Sequence, residues 1–418
     1  MKREVDVLII GGGVIGICSA HFLSHQGRQV VVVERDEVCS GSSHGNGGLI
    51  VPSHSVPLAA PGAVRKGLKW MFNPESPFYI KPRLDRELMS WLWQFNKASN
   101  RKRMHRSIEV IRDLSLASVE LYAELAQMEG FDFSFERRGI IVSARTEKGM
   151  ADIAEEAELL EEAGLEVEVL TTEQVREMVG GVRVDVVGGV HYAQDAHMVP
   201  DLFVKDLARH VQGQGVEICR QTEVLGFSTA GNGVDLVRTT RGEFAAREVV
   251  LSSGSWSSGI ARDLGLRLPI QPAKGYSATF KLPENAPSIP LMMTEAKVGI
   301  TPMGDMLRFA GTLELAGMDL SVNQRRVQAI LKAVPLYMPE LDLEQLELIE
   351  IWRGLRPCTP DGLPFLGRSK RYENLTVAAG HAMIGLSMGP ITGKLVAEIV
   401  TGQEPGLDTS ALALERFN

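Results

Sequence analysis

Three glycines spaced as Gly11-x-Gly13-x-x-Gly16 stand between an apolar run at residues 5–10 and a helical pattern at 17–26 that stops at Gly27. A second apolar run, 29–33, ends at Glu34. This order has the spacing of a dinucleotide-binding fingerprint, and each part has a physical task. Gly11 permits the tight turn, Gly13 lets the backbone approach a pyrophosphate, and Gly16 lets the helix pack on the strand. The amides and dipole of the helix N-terminus meet the anion. Glu34 can accept hydrogen bonds from both hydroxyls of a ribose, which argues against a 2′-phosphate there. Val14 and Ile15 at the helix entry and Arg35 beside the acid are the further expected contacts.

The tract from Ser40 to Gly48 is polar and glycine-dense. Its Ser42, Ser43, Asn46, Gly47 and Gly48 suit backbone amides and short hydroxyls that follow a long, extended cofactor. A nicotinamide domain has no need of such a loop, so FAD is expected rather than NAD, although a surface loop uses the same residue types. A second glycine-rich element, Gly380 to Gly389, follows a strand pattern and precedes a helical one, with Met383, Ile384, Gly385, Leu386 and Ser387 between them. A helix N-terminus placed there would stabilise negative charge on a flavin ring edge and favour acceptance of hydride. A plain strand-turn-helix junction would read the same way.

These residues need elements to hold them. The opening 34 residues make a βαβ unit. A long amphipathic helical pattern at 103–129, strand-like alternation at 131–143 and an acidic helix at 147–163 do not continue a doubly wound sheet. A helix is expected from about Met198-Val199-Pro200 to Gly215, with the proline in its first turn. Strands are expected at 216–218, 248–251, 276–280, 306–309 and 375–378, and helices at 323–334 and 390–402. The predicted fold is α/β: a Rossmann-like FAD-binding domain from residues 1–60, 185–269 and 346–418, interleaved with an α+β substrate domain from 61–184 and 270–345 whose sheet is mainly antiparallel.

A chain of 418 residues can bury a large core and has room for two domains. With 44 basic against 52 acidic residues and no dense Lys/Arg block, nucleic acid is an unsuitable partner. Cys18, Cys39, Cys219 and Cys358 are scattered without metal-ligand spacing, so reduced thiols and no metal are expected. No secretory signal pattern and no apolar run of about 20 residues is present, which points to a cytoplasmic protein. The segment Gly67-Leu68-Lys69-Trp70-Met71-Phe72 either rests peripherally on the inner face of the cell membrane or packs as a helix within the protein; base rates favour the second.

The fingerprint, the loop at 41–48, Gly254-Ser255-Trp256-Ser257, Lys274-Gly275-Tyr276-Ser277, Gly354-Leu355-Arg356-Pro357 with the following Cys358 to Gly362, and Gly380-His381 occur in the order found in the D-amino-acid oxidase superfamily. Across essentially its whole length the chain resembles the small-subunit type of bacterial D-amino-acid dehydrogenase within it, and Ala59-Ala60-Pro61-Gly62 with Lys69-Trp70-Met71-Phe72 is similar to that subgroup in particular. The resemblance implies FAD, with Val224, Gly254, Trp256 and Gly380 added to the cofactor contacts. It implies that Arg356 grips the substrate carboxylate, for which a guanidinium offers a planar, permanently charged fork; the alternative is that Arg356 pairs with an acid such as Asp361. Tyr276 is expected either to add a hydrogen bond to that carboxylate or to be a core tyrosine. His54 is a weaker site candidate, since a lone histidine is more often structural. Some relatives tether FAD through a histidine near His44, but the register differs, so the expected FAD is non-covalent.

The implied reaction moves the Cα hydrogen of a small amino acid, most readily a D-amino acid, to flavin N5 as hydride. The imino acid then hydrolyses to a 2-oxo acid and ammonia. Such chemistry needs orientation and a neutral amine more than a dedicated base. Electrons would pass to a quinone or carrier protein, or to oxygen. The alternatives are oxidation of a secondary amine (D-proline, hydroxyproline, sarcosine) or of glycine, and a non-catalytic electron-carrier subunit.

Overall fold

Four valines in succession, Val30–Val33, lie wholly buried, and so do the last four residues of Lys2–Ile10. Strands apolar on both faces belong in the middle of a parallel sheet covered on both sides. In a computed structural model that describes residues 2–62 and 76–417, Lys2–Ile10 pairs in parallel with Val30–Val33 on one side and Gly242–Leu251 on the other. Glu217–Cys219 extends the sheet beyond Val30–Val33, and Leu375–Ala379 extends it in parallel beyond the end of Gly242–Leu251. Val224–Ala230, Gly233–Thr239 and Phe365–Arg368 complete eight strands by antiparallel pairing.

Val14–His25, Pro200–Gly213, Arg101–Leu125 and Gly389–Val400 pack their buried faces into one core against this sheet. Arg101–Leu125 starts on an Asn100 side chain that accepts from the Arg103 amide, a common helix start that satisfies an otherwise orphaned donor.

A second sheet has nine strands and is mainly antiparallel. Its longest ladders are made by Gln271–Lys281, flanked by Met306–Leu315 on one side and by the edge strand Leu348–Cys358 on the other. The helix Gln324–Tyr337 closes one face over Tyr276, Phe280 and Phe309. Two strands that lie within residues expected in the nucleotide domain belong to this sheet instead. Gly188–Tyr192 pairs with Ile140–Ala144 and Val167–Thr171, and Leu348–Cys358 forms a long ladder with Gln271–Lys281. The expected boundaries at 185 and 346 therefore fall a strand too early, because an apolar strand does not name its partner in the sequence. The alternation at 131–143 also yields less strand than expected, only Ile140–Ala144.

The open face of the second sheet meets the nucleotide side through the loop at 44–48. Ser277 Oγ donates to the Gly45 carbonyl at 2.9 Å and Thr301 Oγ1 to that of Gly47 at 2.7 Å. Buried Arg308 donates to the carbonyls of His44 at 3.4 Å and Asn46 at 2.7 Å. The loop is thus sewn to the sheet by its carbonyls. Among the described residues no helix is long and apolar enough to cross a membrane. Residues 67–72 lie outside the described residues.

Candidate active site

A deep cleft opens where the two sheets meet. The nucleotide sheet supplies one wall through Gly11, Gly13, Val14, Ile15, Glu34 and Arg35. Val14–His25 begins there on Gly13, which brings no capping side chain, and the Val14 amide donates to Ser43 Oγ at 3.1 Å. The other first-turn amides have no partner in an α-helix and are left for an anion. The Glu34 carboxylate is held by the amides of Gly12 at 2.7 Å and Asp36 at 2.9 Å, which leaves its remaining lone pairs for a ribose. Arg35 lies over the Trp256 ring at 4.8 Å, and Val224 and Gly254 line the same region.

The glycines divide into two kinds. A Cβ on Gly16 would collide with the Gly11 carbonyl, and Gly11 itself sits at φ +114° against the Ser252 carbonyl. Gly13 is free of backbone neighbours and would meet only Ser43 Oγ at 3.4 Å. Gly11 and Gly16 are thus demanded by the fold, whereas Gly13 keeps an open cradle for the ligand.

The turn after Leu375–Ala379 forms a further wall, through His381, Ala382, Met383, Gly385 and Leu386. The amides of Met383, Gly385 and Leu386 donate to no group among the described residues. Unpaired amides in a cleft await an acceptor. They belong to the turn and not, as expected, to the first turn of Gly389–Val400, which does not reach the cleft.

The second sheet supplies Arg353, Gly354, Leu355 and Arg356. The Leu355 carbonyl accepts from Ser42 Oγ at 2.6 Å and Ser255 Oγ at 2.9 Å, which fixes the strand just before Arg356. The Arg356 side chain lies over Gly275, where any Cβ would overlap the guanidinium, and Nη1 donates to the Thr312 carbonyl at 2.8 Å. No acidic group pairs with it among the described residues. Asp361, the partner considered from sequence, binds Arg416 at 2.9 Å.

A family model for FAD dependent oxidoreductases (DAO) matches residues 6–399. The chain belongs to this family. It is 34% identical over 424 residues to a D-amino acid dehydrogenase of Granulibacter bethesdensis, covering 98% of this chain and 99% of that protein. It is 32% identical over 427 residues to one from Agrobacterium fabrum, covering 99% and 100%. The solved glycine oxidase of Geobacillus kaustophilus matches with TM-score 0.78 and 25% identity over 100% of both chains. The uncapped helix start at Gly13, the held Glu34 and the unpaired turn amides fit the FAD that this oxidoreductase family uses.

Within this oxidoreductase several residues expected at the site serve the fold around it. Ile384 is buried in the helical core. Ser387 Oγ accepts from the Val51 amide and donates to the Leu49 carbonyl. Gly48, at φ +75°, and Gly380, at φ +81°, are required by close neighbours, the Met198 carbonyl and Thr359 Cγ2 respectively. Gly47 gives its carbonyl to Thr301, and none of these five lines the cleft.

Tyr276 takes the core position of its two expected places and not the one at the carboxylate. Arg356 pairs with Ala273 and Tyr276 with Arg353, so Ala273 and Tyr276 are an odd number of residues apart and face opposite ways. Buried Tyr276 donates to Glu314 Oε2 at 2.9 Å and accepts from the Asn323 amide, on the side away from Arg356. Burial, then the Glu314 contact, pushes its hydroxyl pKa up. Tyr276→Phe is expected to leave KM within about twofold while costing about 1–3 kcal/mol of stability, read by steady-state kinetics and urea unfolding.

His54 is likewise structural. It lies in the turn Pro52–Ser55, 3.2 Å from Ser53 Oγ, and burial holds its pKa down to about 4. The same Ser53 donates its amide and hydroxyl to buried Asp195, whose pKa burial pushes up to about 7. A carboxyl whose folded pKa is raised binds its proton more tightly in the native state. Its contribution is complete below the unfolded pKa and is lost as pH rises through about 7. Asp195→Asn is expected to raise the melting temperature by a few degrees at about pH 8 and to change it little at about pH 4.

The sequence reading did not single out Arg353 and Leu320, which line the cleft, or Ser277, Thr301 and Arg308, which hold the loop. An arginine set among apolar residues, Leu307-Arg308-Phe309, was the available signal.

Proposed function

We propose that this chain oxidises the Cα–N bond of a small D-amino acid and passes the electrons to a quinone or carrier protein. The observation that carries this reading is Arg356: a half-buried guanidinium at the cleft, oriented by Thr312 and Gly275, with no acidic partner among the described residues. A substrate carboxylate supplies the missing anion in bidentate fashion. Bound FAD supplies the two-electron acceptor for the substrate hydride. The chain's own part is to orient Cα through Arg356, to shape the cleft with Leu320 and Met383, and to present the turn amides to negative charge. The imino acid released takes up water and yields a 2-oxo acid and ammonia.

D-amino acid specificity and the dehydrogenase type of acceptor are supported by the relatives at 34% and 32% identity. A second reading, oxidation of glycine or a secondary amine such as sarcosine or D-proline, is favoured by the full-length match to a glycine oxidase. FAD is held without a covalent bond. His44 Nε2 lies 3.1 Å from Glu350 Oε2, and the ring does not line the cleft. Val224, Trp256, Glu34 and Arg35 would hold the nucleotide end, and Ser42, Ser43 and Asn46 its middle.

The test is an anaerobic visible titration of the purified flavoprotein with D- and L-amino acids, glycine, sarcosine and D-proline. Bleaching by D-amino acids, with slow recovery in air and fast recovery with a quinone, is the expected result. Bleaching by glycine or secondary amines alone would install the second reading, and no bleaching by any of them would overturn both.

A further inference from the structure

His21 and His25 stand one turn apart at the C-terminal end of Val14–His25, and His210 stands in the last turn of Pro200–Gly213. The spacing of four places the first two on one helix face. One ring nitrogen from each of the three lies within 4.8 Å of the other two. The ring centroids are 4.2 Å apart for His21 and His25 and 5.8 Å apart for His21 and His210. His21 is 4% exposed, and its Nδ1 has no hydrogen-bond partner among the described residues; the same holds for His210 Nε2. An orphaned buried nitrogen costs free energy unless something occupies its lone pair.

We propose that His21, His25 and His210 bind one divalent transition-metal ion of the zinc class, with water completing the coordination, and so clamp these two helices together at their C-terminal ends. Neutral imidazoles are the ligands such an ion takes. The three rings stand where two helices end, and a cation is favoured at a helix C-terminus.

Nitrogens bound to zinc at about 2.0–2.1 Å sit about 3.3 Å apart around a tetrahedron, so the cluster must tighten. His25 is exposed and has room to turn toward His21, whereas half-buried His210 packs edge-on against Phe131 at 5.3 Å. The Gln214 amide nitrogen donates to His25 Nε2 at 3.2 Å, so binding through that nitrogen exchanges this contact for the bond to the ion. None of the three histidines lines the cleft. The clamp acts on the far end of the helix whose first turn faces the cofactor, so its effect is on stability and not on electron transfer.

The experiment uses FAD-loaded protein dialysed against chelator, titrated with Zn²⁺ by calorimetry and followed by thermal unfolding. One ion per chain, a raised melting temperature and competition by protons as pH falls are expected. His25→Gln removes an exposed ligand without opening the core, and is expected to weaken Zn²⁺ about 100-fold while flavin content and substrate bleaching stay unchanged. His210→Gln should do the same to Zn²⁺ affinity. Absence of stoichiometric binding by the parent protein, or unaltered affinity in both variants, overturns the proposal.

Discussion

Replacing Arg356 by methionine is expected to lower kcat/KM for a D-amino acid by about 10²- to 10³-fold, with FAD content unchanged. The magnitude follows from removing one member of a partly desolvated, bidentate charge pair, which costs about 2–5 kcal/mol. The loss should fall mainly on KM, because the carboxylate is bound alike before and during hydride removal. Arg356→Lys should recover only part of it, since an ammonium offers a point charge in place of a planar fork. Among the described residues the guanidinium has no acidic neighbour to compensate, and its position depends on the bare backbone of Gly275 and on the clamped Leu355 carbonyl. Steady-state kinetics with an artificial acceptor, together with the flavin spectrum, decide the matter. An unchanged KM would remove Arg356 from carboxylate binding.

Gly16→Ala is expected to abolish FAD retention and to destabilise the fold severely. Its Cβ would collide with the Gly11 carbonyl and would lie 2.9 Å from Ser252 Oγ. No rotamer change relieves a clash with backbone, and Gly11 cannot retreat freely because its amide is tied to the Val33 carbonyl at 2.9 Å. The helix would have to lift from the strand, taking its first-turn amides away from the pyrophosphate. Gly213→Ala is the control: it ends a helix, faces open space, and should change stability by less than about 1 kcal/mol. The flavin-to-protein absorbance ratio and the melting temperature of the two variants should diverge sharply. Retention of FAD by Gly16→Ala at the parent level would show that the helix tolerates displacement.

The parts readable from sequence were those whose meaning is local. Gly11, Gly13, Gly16 and Glu34 carry theirs in spacing, because a tight turn, an uncapped helix start and an acid after the next strand are all set within 34 residues. The α/β class, the helices near 147–163, 200–213 and 389–400, and the placing of Ser42, Ser43 and Asn46 at the cleft follow from similarly short-range patterns. Arg356 was readable as a candidate through its motif, but that Asp361 is not its partner was not, since Asp361 lies only five residues on and is taken by Arg416 from the far end of the chain.

Long-range pairing decided the rest. Register on the ladder between Gln271–Lys281 and Leu348–Cys358 turns Tyr276 away from Arg356, and a period of two makes that an all-or-none choice. The same pairing moved two strands out of the nucleotide domain. His210 is separated from His25 by most of the first half of the chain, and only the packing of two helices brings them together. Sequence alone determined which local turns could bind a nucleotide, because that capacity resides in residue type and short spacing, while Arg356 was offered for a carboxylate by the resemblance to a family. Tertiary structure decided which groups face one cleft, because facing is set by strand register and helix contact between residues hundreds of positions apart.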